Sequence, residues 1–251
     1  MSDSPRPSAL PESPLTGGNA TPVSRRGDTV LREAGPWTET VQNLLDHVRQ
    51  RGIDWVPEPL GIDGSREVLR FLPGEVPNYP MPEYVWSEQT LDHAAWMLRN
   101  YHDATLDFDR TDAVWRQPTR EPAEVICHND FAPYNFAFEG GRMTGVIDWD
   151  MASPGSRAWD LAYLAYRLVP LSSEPGGPRA EADTRLDRLL ERYGAGFSRE
   201  HLLATVVLRL EDLAAWTEGN AGRHPEAAAH AALYRADAAL IARSPLGGRI
   251  G

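Results

Sequence analysis

Two polar runs, Cys127-His128-Asn129-Asp130-Phe131-Ala132-Pro133-Tyr134-Asn135 and Gly145-Val146-Ile147-Asp148-Trp149-Asp150, constrain this chain more than any other feature. The first leaves an apolar segment, residues 124–127, that reads as a strand. Between the runs lie Phe136–Phe138, a Gly140-Gly141 turn and Met143–Ile147, which read as a β-hairpin. A hairpin brings its two ends together, so Asp148 is expected to face Asn135, with Asp130 on the loop before it. Two carboxylates and an amide oxygen converging there form an oxygen-rich site suited to Mg²⁺ rather than to a metal preferring nitrogen or sulfur. One carboxylate is left over to orient an attacking hydroxyl. The plainer alternative is that all three are Asx residues capping turns.

Composition narrows the chemistry. The 251 residues carry a formal charge of −11, which argues against nucleic acid or an anionic membrane as partner and is compatible with a cationic ligand. All 25 basic residues are arginine, so no mechanism can use a lysine. One cysteine, Cys127, excludes an internal disulfide and a multi-cysteine metal cage. It neighbours His128 on an extended segment, so the two side chains point to opposite faces and a Cys–His dyad is not expected. No apolar run is long enough to span a membrane, and the N-terminus lacks an apolar secretory segment; a cytoplasmic location is expected.

Along the chain, residues 1–14 read as a disordered tail rich in proline and serine. Residues 15–35 read as strands broken at Gly17-Gly18-Asn19 and Arg26-Gly27-Asp28. Val41, Leu44, Leu45 and Val48 mark a helix ended by Gly52, and residues 56–74 read as a hairpin turning at Asp63-Gly64. Ser87 can cap a long helix through Leu106, and helices are expected at 157–168, 181–193, 199–219 and 225–243. This order predicts an α+β, bilobal fold: a small β-rich lobe at 15–75 and a mostly helical lobe at 76–251.

The pattern His128-x-Asp130-x-x-x-x-Asn135 with a trailing Asp148 follows the logic of kinase-type phosphoryl transfer. HNDFAPYN and VIDWDMASPGSRAWDLAYL resemble the catalytic loop and metal-binding segment of the aminoglycoside phosphotransferase family, which has a protein-kinase-like fold. The resemblance covers most of residues 15–243. It implies that Asp130 is the catalytic base, that Asn135 and Asp148 hold Mg²⁺, and that His128 and Asp160 support the loop. It also implies that Gly17, Gly18, Asn19, Ala20 and Thr21 cover the nucleotide and that Phe71 and Leu72 lie in the hinge that contacts adenine. Arg32 falls at the phosphate-clamping position that a lysine would otherwise occupy. The register of the first helix puts Val41 where the clamp's acidic partner is expected, with Glu39 two residues away.

The implied activity is Mg²⁺-dependent transfer of the γ-phosphoryl group of ATP or GTP to a hydroxyl of a small molecule, such as an aminoglycoside-like antibiotic or a metabolite. Two alternatives remain: a kinase acting on peptide Ser/Thr hydroxyls in natural-product biosynthesis, and a non-catalytic pseudokinase or peptide-toxin immunity protein. Gly17 to Asn19 also read as a plain hairpin turn, and Arg32 as a solvated arginine at a strand end. Asp150 reads better as an exposed loop carboxylate than as a second ligand. Trp149 reads as core or as the wall of a substrate pocket. Glu174, Glu181, Asp183, Glu211 and Asp212 either attract a cationic acceptor or form a solvated helix face.

Overall fold

The computed structural model describes residues 11–15, 22–173, 177–219 and 227–243. Its first part is a five-stranded antiparallel sheet in the order β1-β2-β3-β5-β4, formed by β1 (Glu12–Leu15), β2 (Val23–Arg26), β3 (Thr29–Glu33), β4 (Pro59–Asp63) and β5 (Arg66–Arg70). Helix α1 (Thr38–Gln50) connects β3 to β4 and buries Val41, Leu44, Leu45 and Val48 completely. Gly52, at φ +85°, ends it with a backbone turn that disfavours any residue with a Cβ.

One correction falls in this part. Strand β1 begins at Glu12, inside the segment expected to be a disordered tail. Composition hid it, because its side chains are exposed and it is held by polar partners. Ser24 donates to Glu12 at 2.5 Å, Arg66 pairs with Glu12 at 2.8 Å, and the ladder to β2 supplies the backbone bonds.

The remainder is mostly helical: α2 (Glu88–Ala104), α3 (Arg157–Leu168), α4 (Ala182–Tyr193), α5 (Arg199–Gly219) and α6 (Ala227–Ala242). Ser87 caps α2 by accepting from the Thr90 amide at 3.1 Å, and Ser156 caps α3 by accepting from Trp159 at 3.2 Å. Two small antiparallel ribbons carry the polar runs. Strand β6 (Val125–Cys127) pairs with β9 (Ser153–Gly155), and β7 (Phe136–Glu139) pairs with β8 (Arg142–Val146). The hairpin lies where expected; β9 carries no period-two signal in Ser153-Pro154-Gly155 and was not anticipated. Among the described residues no helix is long and apolar enough to cross a membrane.

The two parts meet along the segment after β5. Glu75 and Phe138 exchange backbone hydrogen bonds of 2.8 Å in both directions, and Val146 donates to the Trp55 carbonyl at 3.0 Å. Gly145 permits that approach: a Cβ there would lie 3.0 Å from both Leu72 Cδ1 and the Trp55 oxygen. The sheet is thereby pinned against the hairpin that ends in Asp148.

Candidate functional site

Asp160, in the first turn of α3, is fully buried. Its Oδ2 accepts the His128 amide at 2.7 Å, its Oδ1 accepts the Asn129 amide at 2.9 Å, and His102 Nε2 lies 3.1 Å from Oδ2. Burial alone would raise this carboxyl's pKa; His102 and the amides outweigh it and hold the pKa below the ordinary value. Asp160, His102 and Cys127 bring possible ligand atoms within 4.8 Å of one another. Both oxygens and both His102 nitrogens are already bonded, the second nitrogen to the Tyr193 hydroxyl at 2.7 Å, so the cluster works as a loop anchor rather than a metal centre. Cys127 is fully buried and burial pushes its thiol pKa well up, in line with a small apolar side chain.

His128 ties the loop to the hairpin. The Asp130 amide donates to Nδ1 at 3.2 Å, so that nitrogen carries no proton, and Nε2–H donates to the Ile147 carbonyl at 3.2 Å. The ring lies 4.4 Å from Trp149. Trp149 is itself buried and donates to Val146 at 3.1 Å, so it is core and does not wall a pocket.

Asp130 and Asn135 are joined directly. Asn135 Nδ2 donates to Asp130 Oδ2 at 2.8 Å and to its carbonyl at 2.9 Å. With its NH₂ group committed, Asn135 has Oδ1 left to offer a cation. Tyr134 donates to Asp130 Oδ1 at 2.6 Å. Burial raises the Asp130 pKa and the like charge of Asp148 adds to the rise, while Tyr134 and Asn135 pull the other way. The Tyr134 phenol was missed from sequence; a polar aromatic inside the loop run was the available signal.

Asp148 lies just beyond β8 at φ +61°, a backbone region uncommon outside glycine, and its side chain is half exposed. Arg32 reaches it across the cleft. Nη1 stands 3.2 Å from Asp148, Nη2 2.5 Å from Asp150, and Nε 2.5 Å from Glu67. Arg32 is therefore no solvated strand end. Its buried partner is not on α1: Val41 is core, Glu39 is exposed, and the partner is Glu67, directly opposite Arg32 in the β3–β5 register. Gln42 of α1 donates to the other Glu67 oxygen at 3.3 Å. The sequence signal was a glutamate at an inward position of an alternating strand, with Glu67 and Leu69 both buried. Asp150 departs from the exposed loop carboxylate expected: it is mostly buried between Arg32 and Arg116, the latter at 3.7 Å. Burial raises its pKa, and Asp148 and Glu67 add to that against the pull of Arg32.

Arg32 thus faces Glu67, Asp148 and Asp150, and Arg116 faces Asp150 as well. The excess of negative charge and the hard oxygen donors of Asn135 and Asp148 fit a divalent cation such as Mg²⁺.

On the nucleotide side, Gly17, Gly18, Asn19, Ala20 and Thr21 lie outside the described residues. The Phe71 amide donates to the Asp28 carbonyl at 2.8 Å, which leaves its carbonyl as the backbone group for a hinge contact, and the Arg25 guanidinium covers its ring at 3.7 Å. Leu72 instead packs on Gly145 beside the hairpin. Of the acidic residues considered for attracting a cation, Asp183 pairs with Arg199, Asp212 with Arg120 and Arg209, and Glu211 with Arg235. Glu174 lies outside the described residues.

A profile of the phosphotransferase enzyme family matches residues 77–203. The trifolitoxin immunity protein of Rhizobium leguminosarum bv. trifolii is 39% identical over 160 residues, which is 61% of this chain and 60% of that protein. The match thus spans less than two thirds of that curated relative. Among solved structures, a choline/ethanolamine kinase family protein from Mesorhizobium loti superposes with TM-score 0.63 at 18% identity, covering 94% of this chain and 89% of the other. An amicoumacin kinase in complex with AMP-PNP, Ca²⁺ and its ligand superposes with TM-score 0.67 at 13% identity, covering 97% and 91%. These likenesses establish the fold: a small antiparallel-sheet lobe and a helical lobe, as in kinase-like phosphotransferases.

Proposed function

Because this chain belongs to the phosphotransferase enzyme family, we propose that it transfers the γ-phosphoryl group of ATP or GTP to a hydroxyl of a small-molecule acceptor in the cytoplasm. The sheet lobe, residues 15–75, would hold the nucleotide and residues 76–251 the acceptor. One observation carries the reading: Asp130 is hydrogen-bonded through both oxygens, one of them to Asn135, on the loop that leads into the hairpin ending at the half-exposed Asp148.

Asp130 receives the proton of the acceptor hydroxyl. Tyr134 and Asn135 fix its rotamer, so reacting groups meet without a search through orientations. Asp160 and His128 hold the loop's backbone and do not touch the acceptor. Asn135 and Asp148 would hold Mg²⁺, which when bound supplies charge neutralisation for the transferred phosphoryl group. Arg32 takes the place of the clamping lysine. Its Nη1, the most loosely held of its three paired nitrogens, is the one for which a phosphate oxygen competes with Asp148.

The relative named an immunity protein supports a second reading, in which the chain binds a peptide toxin without catalysis. Thermal-shift titration with ATP, GTP and Mg²⁺ separates the two. A Mg²⁺-dependent rise in Tm that persists in Asp130→Asn, together with loss of nucleotide turnover by about 10²–10⁴-fold in that variant, is the expected result. No shift with either nucleotide overturns the phosphotransferase reading in favour of the binder.

A further inference from the structure

Beyond Asp130 the hydrogen bonding continues into a cluster that the reading above leaves unused. Tyr134 Oη lies 2.6 Å from Asp130 Oδ1 and 2.7 Å from Tyr163 Oη, and Arg167 Nη2 donates to Tyr163 Oη at 2.9 Å. Three hydrogen bonds therefore join the proposed base to an arginine. Arg167 Nε also donates to Tyr163 at 3.1 Å, and Nη2 reaches Tyr234 at 3.3 Å. The guanidinium lies 5.6, 5.1 and 5.0 Å from the ring centres of Tyr134, Tyr163 and Tyr166. Tyr79, half exposed, stands 6.4 Å from the Tyr134 ring at the edge of the cluster.

The charge state of this cluster is unusual for the molecule. Other arginines with mostly buried side chains, Arg32, Arg120, Arg157 and Arg209, each face a carboxylate. Arg185 lacks one, but backbone carbonyls take all three of its guanidinium nitrogens. Among the described residues Arg167 has no carboxylate partner. Among the described residues its Nη1 has no hydrogen-bond partner, and unlike Arg209 Nε it is not fully buried. A cation with neutral partners, an open nitrogen and aromatic walls, inside a chain of net charge −11, is arranged to receive an anion. The same cation repels an ammonium group brought beside it. This runs against the cationic acceptor expected from net charge.

We propose that Arg167 recognises a carboxylate on the acceptor, which would present its hydroxyl to Asp130 and its carboxylate to the Nη1 side of Arg167. The assignment of that carboxylate to an acceptor rests on the phosphotransferase reading; the anion site itself does not. The carboxylate belongs either to a small hydroxy acid or to the C-terminus of a short peptide, and the two are tested separately.

The test is calorimetric titration of the full chain, without nucleotide or Mg²⁺, so that loss of catalysis and loss of this site give different results. Probes are 3-phenyllactate against its amide, N-acetyl-Ser-Phe against its C-terminal amide, and choline. At least one free carboxylate is expected to bind ten-fold or more tighter than its amide, and choline more weakly than either. The pair that discriminates identifies the source. Arg167→Gln is expected to remove the ten-fold preference while leaving amide binding unchanged. Should Arg167→Gln not fold, the wild-type comparison of carboxylate with amide decides. Equal binding of carboxylates and amides, no carboxylate binding at millimolar concentration, tighter binding of choline, or an unchanged preference in Arg167→Gln overturns the proposal.

Discussion

Asp160 and Asp148 flank the same loop-and-hairpin unit and are held in opposite ways. Asp160 is sealed, with both oxygens taken by two backbone amides and a histidine. Asp148 is half exposed and is held by one guanidinium nitrogen at 3.2 Å from the other lobe. Loops leave buried amides that must find acceptors, and a buried carboxylate that accepts two of them is structural by necessity. A carboxylate held at the surface by one charged contact can be exchanged to another cation at little cost. The contrast separates a residue that builds the site from one that the site can use.

The largest effect tests the sealed half. Asp160→Ala leaves two buried amides and His102 without their acceptor and is expected to cost about 3–5 kcal/mol of stability, read as a fall in the chemical-denaturation midpoint. Asp148→Ala is expected to change stability by no more than about 1 kcal/mol while removing the Mg²⁺-dependent nucleotide shift. Equal losses of stability in the two variants would erase the distinction. The sign of the pH dependence follows from the lowered Asp160 pKa: its stabilisation is present above the ordinary Asp range and is lost as pH falls through the lower folded value.

An intermediate effect tests the bridge between lobes. Arg32→Gln strips the buried Glu67 of its ionic partner, leaving only Gln42, and is expected to cost about 1–3 kcal/mol. Arg32→Lys keeps one charge contact but cannot reach three carboxylates with a fork, so it should recover part of the stability and not all. Full recovery by lysine would mean that the three-way geometry contributes nothing.

The smallest effect concerns Asp130, which belongs to neither extreme. Its raised pKa means that the acid limb of nucleotide turnover should fall at a pH above the ordinary Asp range, because the base must be ionised to accept a proton. Tyr134→Phe removes a donor that favours the ionised form. It should move that limb further up and lower turnover near neutral pH by less than about ten-fold. A limb that moves down on loss of Tyr134 would contradict the bond as described.

The element order, the boundaries of the long helices and the hairpin joining Asn135 to Asp148 were legible because each rests on local signals. Helical spacing in α1, the Ser87 cap, and Gly140-Gly141 between two apolar runs all act within a few residues. Strand β1 was not legible, since exposed polar side chains carry no period and its order comes from Ser24 and Arg66, far along the chain. The partner of the Phe71 amide, the Asp28 carbonyl across the sheet, carries no local signal either.

The sequence by itself determined which groups could do chemistry: an all-arginine cation set, one thiol, and Asp130, Asn135 and Asp148 at spacings a hairpin can close. Tertiary structure alone decided their partners. Arg32 meets Glu67 through strand register, Asp148 through the packing of one lobe on the other, and Arg167 meets Tyr163 through one helical turn but Tyr234 through packing of α6. Periodicity reports which face a residue shows, whereas charge partners are chosen by distances between segments that local preference does not encode.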